Sequence, residues 1–241
     1  MIKNIFLDAG YTLIYPKAHS WFFPVDFFEY CDKETFLEIE KSGEYKKLFA
    51  IGYKYLDENH LLKDENDEFE VFVEFYKIIL LPFPELGIDE KKIIKAVKNN
   101  VSDYDKFNIY GDVRDMLEKW KTDGYKLGII SDTWPSLVNV FKRLGIYGYF
   151  DVIVKSCDLG VWKPHEKMYL SALNPLNARG EESVFVDDSI ECLEGAEKFA
   201  INPVQIARSN NNWTIQFNRL KEEKYPKFEN LTEIDRYIKN K

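Results

Sequence analysis

Between Tyr110 and Ile206 helical segments alternate with short apolar ones, and this alternation limits the fold more than any other feature of the chain. Asp112–Lys121 places Val113, Leu117 and Trp120 on one helical face and is stopped by Gly124, after which Leu127–Ile130 reads as a strand. The unit then repeats. Pro135–Leu144 reads as a helix stopped by Gly145, Val152–Val154 as a strand, Pro164–Leu173 as a helix, Val184–Val186 as a strand, Ile190–Ala200 as a helix and Val204–Ile206 as a strand. Strands joined by helices run parallel and carry helices on both faces. With Ile5–Leu7 as a fifth strand, the expectation is an α/β fold with a Rossmann-like parallel-sheet core, spanning 1–15 and 105–241.

The segment 16–104 has only helical periodicity. Glu44–Leu62 sets Tyr45, Leu48, Phe49, Tyr53 and Leu56 at helical spacing, and Asp67–Leu81 does the same with Phe69, Phe72, Val73, Tyr76 and Ile79. Such aromatic stripes usually serve as core, not as a cofactor box. Ile88–Val97 forms a further short helix after the Leu81-Pro82-Phe83-Pro84 break, and Val25–Lys41 holds one or two more. A separate bundle of about four helices, inserted after the first strand, is expected. Ser209–Lys224 is polar and irregular, and Leu231–Ile238 reads as a closing helix.

A net charge of −8 over 241 residues argues against nucleic acid as a partner, because replacing phosphate counterions needs clustered Lys and Arg. Cys31, Cys157 and Cys192 lack CxxC or Cys/His spacing, so neither a disulfide framework nor a zinc site is expected. Ile5–Leu7 is too short an apolar run for a signal peptide, and no stretch approaches the roughly 18 apolar residues of a membrane span. A cytoplasmic protein, monomer or homodimer, with no membrane partner is expected.

The chemistry gathers at strand ends, where open α/β sheets leave a crevice for ligands. The first strand runs into Asp8-Ala9-Gly10-Tyr11-Thr12-Leu13, a carboxylate entering a tight turn. The second ends in Ser131-Asp132-Thr133, a hydroxyl and a backbone amide where a helix is about to begin, suited to an anion. After the third comes Gly160-Val161-Trp162-Lys163-Pro164, a lysine just before a proline that starts a helix. The fourth ends in Asp187-Asp188-Ser189, two adjacent acids whose repulsion calls for a cation. Together with Asp8 they suggest Mg²⁺, whose hard shell takes carboxylates, carbonyls and water.

The ordered set Asp8, Ser131, Lys163, Asp187-Asp188 resembles the four motifs of the haloacid dehalogenase-like hydrolase superfamily, subfamily I, with a helical cap domain over 16–104 inserted after the first motif. Gly195-Ala196 follows the acid pair as in that family. The resemblance implies that Asp8 is the nucleophile, forming an aspartyl phosphate that water hydrolyses. Ser131 and Lys163 would hold phosphoryl oxygens, and the amides of Ala9, Gly10 and Asp132 would complete the cradle. Mg²⁺ would be bound by Asp8, Asp188 and the Gly10 carbonyl, with Asp187 bound through water or orienting the shell.

One position departs from the family pattern. Phosphatases of this family carry a second acid two residues after the nucleophile, where this chain has Gly10. Losing a general acid costs roughly 10² to 10⁴ in rate, less for leaving groups such as acyl phosphates that depart without a proton. His19, just after the turn, and His165, two residues past the lysine, are the titratable groups available to supply a proton. The leading expectation is a Mg²⁺-dependent phosphatase acting on a small phosphorylated metabolite. A phospho-ligand-binding or regulatory protein without turnover is the second reading, supported by Gly10. A 2-haloacid dehalogenase is the third: that family also lacks the second acid, which favours it, but the chain has no arginine before Arg114 to serve as its cap arginine and carries an acid pair that a metal-free enzyme does not need.

Overall fold

The computed structural model describes residues 1–18, 20–208 and 224–241. They form two compact units. The first comprises Met1–Tyr15, Asn108–Thr133 and Phe141–Lys241, the second Pro16–Phe107 and Trp134–Val140.

The first unit is built on a parallel sheet. Its strands are β1 (Asn4–Leu7), β4 (Lys126–Ser131), β5 (Val152–Lys155), β6 (Ser183–Asp187), β7 (Asn202–Ile206) and β8 (Lys227–Phe228), in the order β5-β4-β1-β6-β7-β8. Every pairing between neighbours is parallel. Two further strands, β2 (Ile14–Pro16) and β3 (Phe107–Ile109), pair in a separate small sheet. All four residues of β1 and all five of β6 are buried, as strands covered on both faces require. Among the described residues, the helices of this unit are α5 (Val113–Thr122), α7 (Ser156–Leu159), α8 (Glu166–Leu176), α9 (Ile190–Glu197) and a closing helix, Leu231–Lys239; α6 (Leu137–Arg143) begins in the second unit and ends in the first. Among the described residues the sheet has six strands, one more than the periodicity predicts, because β8 is two residues long and too short to show a period.

Close packing decides two glycines here. A side chain at Gly128 would lie 2.7 Å from both the Phe6 ring and Val152, so the centre of the sheet closes only over a bare backbone. A side chain at Gly195 would overlap the Tyr169 hydroxyl and lie 2.6 Å from Pro164, which brings α9 tight against the loop carrying Lys163. Phe6, Ile130, Met168, Tyr169, Phe185 and Leu193 fill the core between sheet and helices.

The second unit contains α1 (Lys33–Lys41), α2 (Gly43–Glu58), α3 (Glu65–Leu80) and α4 (Glu90–Ser102), each started by an Asp or Ser side chain that accepts a backbone N–H of the first turn. The aromatic stripes are core: Phe72, Phe75 and Tyr76 of α3 are fully buried, and Phe23 stacks on Phe27 with ring centroids 4.1 Å apart. Gly52 lets α2 approach α3, since a side chain there would sit 2.8 Å from the Phe75 ring. Tyr53 is the exception in the α2 stripe and is exposed.

Trp134–Val140 belongs to this unit although the alternation places it in the α/β core, and a buried acid accounts for it. Glu68, 1% exposed on α3, accepts the Ser136 backbone N–H and the Ser136 hydroxyl, each at 2.8 Å. Lys106 donates to the Asn100 carbonyl at 2.6 Å and lies 3.4 Å from the same hydroxyl. Burial lowers the Lys106 ammonium from its ordinary range, and the charge of Glu68 opposes that shift. Among the described residues no helix is long and apolar enough to cross a membrane.

Replacing Glu68 by Ala strands two donors of Ser136 and the charge of Lys106, and should cost about 3 kcal/mol of stability. Adding Lys106→Met should recover part of the loss. Urea unfolding of the two single variants and the double variant measures this, and strictly additive losses would contradict the linkage.

Candidate active site

The sheet order reverses at β1. From β1 the chain moves outward through β4 and β5 on one side and through β6, β7 and β8 on the other, so the switch point lies between β1 and β6. Helices that depart to opposite faces leave a crevice at the carboxyl ends of two such strands. Leu7 is level with Ile129 on β4 and Val186 on β6, which places Asp8 one step further on, level with Asp187. The Asp8 N–H donates to the Val186 carbonyl at 2.9 Å and holds that level.

Lys163 arrives from the loop after α7. Its ammonium donates to Asp8 Oδ1 and Asp187 Oδ2, each at 2.6 Å, with all three side chains buried. Its backbone N–H donates to Asp132 Oδ1 at 2.8 Å, so the residue after the second-motif serine fixes the loop that carries the lysine. Asp187 uses its other oxygen to accept the Ser189 N–H at 2.7 Å. Ser131, buried, ends β4 beside Lys155. Asp188 is half-buried, and its backbone carbonyl accepts from the Gln205 side chain at 3.3 Å. Ala9 is buried and Gly10 half-buried at the start of the turn, where the Ala9 carbonyl accepts the N–H groups of Leu13 and Ile14.

Burial pushes the Asp8 carboxyl up to about 6, with Lys163 pulling against it and Asp187 adding to the rise. Asp187 is pushed up to about 7, again chiefly by burial, with Asp188 adding to it. Burial also acts to lower the Lys163 ammonium, but the charges of Asp187 and Asp8 outweigh it and hold it well above the ordinary lysine range. A single ammonium thus faces two buried acids, with Asp188 next in the chain. A divalent cation fits this surplus. Asp8 and Asp188 offer carboxylate oxygens and Gly10 a carbonyl, all hard donors of the kind Mg²⁺ takes. Among the described residues no group of three or more His, Cys, Asp or Glu side chains is gathered for a metal, so such a site would rest on two carboxylates, a carbonyl and water.

The second motif and the lysine loop reach these positions by routes other than those expected. The helix after Ser131 begins at Leu137, two residues later than the expected Pro135, and the segment before it is held by Ser156, whose hydroxyl accepts the Thr133 N–H at 2.8 Å and donates to the Thr133 carbonyl at 3.1 Å. Pro164 likewise lies outside α8. The helix is capped by His165, whose Nδ1 accepts the Lys167 N–H at 3.2 Å, so this exposed histidine serves the helix end. His19 lies outside the described residues. Arg208, which the sequence reading passed over, is buried and donates to the Thr12 carbonyl, four residues from Asp8. Its only sequence signal is an arginine two residues past the end of a strand.

The family profile described as haloacid dehalogenase-like hydrolase matches residues 44–206. The chain belongs to the haloacid dehalogenase-like hydrolases. The match takes in three of the four strand-end motifs and begins after Asp8, so the place of Asp8 in the site rests on the sheet register. Among curated relatives, an (S)-2-haloacid dehalogenase 4A of Burkholderia cepacia is 30% identical over 129 residues, covering 53% of this chain and 56% of that one. A glyceraldehyde 3-phosphate phosphatase of Methanopyrus kandleri is 32% identical over 105 residues, covering 41% and 43%. The chain therefore spans about half the length of the curated relatives it matches. Among solved structures, a HAD phosphatase of Thermococcus onnurineus superimposes with a TM-score of 0.64 at 20% identity, covering 98% of both chains, a likeness of fold.

The raised carboxyls predict a pH dependence of stability. A folded-state pKa above the ordinary carboxyl value of 3.8 contributes stability that is full below that value and lost as pH rises through about 6 to 7. His60, held down to about 4 by burial, acts in the opposite sense between that value and the ordinary 6.5, and does so equally in wild type and variant. In EDTA the drop in Tm between pH 5 and pH 8 should therefore be smaller for Asp187→Asn than for the wild type, measured by calorimetry. An equal or larger drop would contradict the assignment.

Proposed function

We propose that this hydrolase is a Mg²⁺-dependent phosphatase acting on a small phosphorylated metabolite whose leaving group departs with little need of a proton. The observation that carries the reading is the Lys163 ammonium 2.6 Å from both Asp8 and Asp187 at the switch point, a carboxylate held by a cation where an anionic substrate can enter. Asp8 attacks phosphorus, and the new Asp8–phosphorus bond forms as the bond to the leaving oxygen breaks. Water then attacks phosphorus and returns the free carboxylate and inorganic phosphate. Lys163 fixes the attacking carboxylate and, with Ser131 and the amides of Ala9, Gly10 and Asp132, neutralises the phosphoryl oxygens as charge develops on them. Mg²⁺, when held by Asp8, Asp188 and the Gly10 carbonyl with Asp187 behind them, supplies further charge neutralisation.

The missing acid sets the substrate class. Gly10 offers no proton to the leaving oxygen, so acyl phosphates and similarly activated compounds suit the site better than alkyl esters. The helical unit at 16–107 and 134–140 contains no arginine, which counts against the 2-haloacid dehalogenase reading despite the Burkholderia relative. The same Gly10 supports the reading of a phospho-ligand-binding protein without turnover, which a lack of hydrolysis across a panel of phosphorylated metabolites would favour.

Asp8→Asn should abolish hydrolysis of acetyl phosphate with the fold intact, and EDTA should abolish it in the wild type. Turnover of the variant at the wild-type rate would remove Asp8 as nucleophile. Undiminished turnover in EDTA would remove Mg²⁺.

Gly10 also carries a test. The left-handed residue of the turn is Tyr11, at φ 51, and Gly10 is not among the positive-φ glycines, so its backbone accepts a side chain without that strain. Gly10→Asp should raise the rate on alkyl phosphates by roughly 10-fold or more and flatten the dependence on leaving-group pKa. A folded variant with no gain would show that the proton already comes from elsewhere.

A further inference from the structure

The turn that follows Asp8 is held from outside by a group that no motif includes. Tyr11 sits at φ 51, a backbone that costs a residue with a side chain roughly 1–2 kcal/mol and persists only where its surroundings over-determine it. Three successive residues of the turn are tied. The Tyr11 N–H donates to the Ile14 carbonyl at 2.7 Å, and the Leu13 carbonyl accepts the Tyr110 N–H at 3.1 Å. Between them the Thr12 carbonyl accepts two N–H groups of Arg208, Nη2 at 2.9 Å and Nε at 3.2 Å.

Arg208 is itself fixed on two further sides. Its Nη1 donates to Asp112 Oδ2 at 2.9 Å, and its guanidinium lies over the Tyr110 ring, 4.2 Å from the centroid. Asp112 Oδ2 also accepts the Leu231 N–H at 2.7 Å, which ties the acid to the start of the closing helix. Arg208 is 5% exposed, so its charge is committed to these partners and not to solvent. A planar fork with donors along two edges and a stacking face meets all three demands at once, and an ammonium does not.

We infer that Arg208 is a positioning residue for the nucleophile turn: its guanidinium, held by Asp112 and the Tyr110 ring, grips the Thr12 carbonyl and so fixes Asp8 and the Ala9–Gly10 backbone that follows it. The inference rests on the phosphatase reading for its catalytic consequence, though not for the clamp itself. Released from Arg208, the Thr12 carbonyl is a buried acceptor without its donors, and the left-handed Tyr11 loses a constraint that sustains it. The turn then relaxes toward other conformations. Misplacement of a reacting group by about 1 Å costs on the order of 10²-fold in rate, while contacts to the phosphoryl group made by Lys163 and Ser131 are untouched.

The test uses Arg208→Lys, which keeps the charge, and Arg208→Gln, which removes it, each with two readouts. Hydrogen exchange followed by mass spectrometry should show peptides spanning Ala9–Tyr15 exchanging about 10-fold or more faster in both variants, with peptides of β4 unchanged. Steady-state kinetics on acetyl phosphate should show kcat reduced by about 10- to 100-fold with KM altered less than about 3-fold. If Arg208→Gln does not fold, Arg208→Lys and Tyr110→Leu, which removes only the stacking platform, carry both readouts. Wild-type exchange in the turn overturns the clamp, whatever the enzyme does. Faster exchange with unchanged kcat overturns its catalytic consequence, and a kcat restored by Lys shows that charge and not geometry is what the site needs. A wild-type protein with no turnover on acetyl phosphate overturns the substrate reading and the catalytic consequence that rests on it, while exchange still decides the clamp.

Discussion

One ammonium shared between two buried carboxylates is the interaction around which the α/β unit is arranged. Lys163 reaches Asp8 and Asp187 at 2.6 Å each, and those two acids stand at the ends of the strands between which the sheet order reverses. Burying either carboxylate alone would be costly, and a lysine placed elsewhere on the loop could not serve both. The loop is therefore fixed at both ends. Asp132 takes the Lys163 backbone N–H, and the absence of a side chain at Gly195 allows α9 to close against Pro164. The fold thus brings strand ends from four distant parts of the sequence to one crevice and leaves their charges incompletely balanced. That imbalance is what the proposed phosphatase reading uses, and it is not what a site built for stability alone would carry.

The α/β core was legible because its strands are buried on both faces and its helices are stopped by glycine. Ile5–Leu7, Val184–Val186 and the runs between them are near-continuous apolar segments, the mark of parallel strands. Gly124 and Gly145 adopt the positive φ that ends a helix. What periodicity could not show was short or set by distant partners. Two-residue β8 and four-residue α7 have no period to read. Trp134–Val140 has the pattern of a core helix, yet its start is fixed by Glu68, 68 residues upstream, through a pair of hydrogen bonds to Ser136. A buried acid on an amphipathic helix gives no indication of which backbone it will meet.

In the site, the residue types at the strand ends were readable and their supports were not. Asp8, Lys163 and Asp187 come together as the order of motifs implies, and Ser131 and Asp188 lie at the ends of the adjoining strands. The residues after Ser131 are held by Ser156 before the helix begins, a support from 23 residues downstream that no local pattern records. Arg208 was invisible for a different reason. Its role depends on Thr12, Tyr110 and Asp112, which lie about a hundred residues or more upstream and converge only once the sheet has formed. Local patterns record helix faces and strand ends, and they do not record which carbonyl a folded arginine will find.

Under the proposed reading, Asp8 forms a covalent bond to the group it transfers. A single turnover of acetyl phosphate in H₂¹⁸O with enzyme in excess, followed by mass spectrometry of the released phosphate and of the peptide containing Asp8, tests this directly. Because each hydrolysis of the intermediate breaks a bond at phosphorus, the first phosphate released by a single turnover should carry one solvent oxygen, and the Asp8 carboxylate should remain unlabelled. Rapid acid quench during the same turnover should trap a peptide whose Asp8 is heavier by one phosphoryl group. Solvent oxygen in the phosphate with no trapped phosphoryl group on Asp8, under conditions where the quench outruns hydrolysis, would contradict the account. Label in the Asp8 carboxylate instead would mean attack at carbon, the chemistry of a dehalogenase.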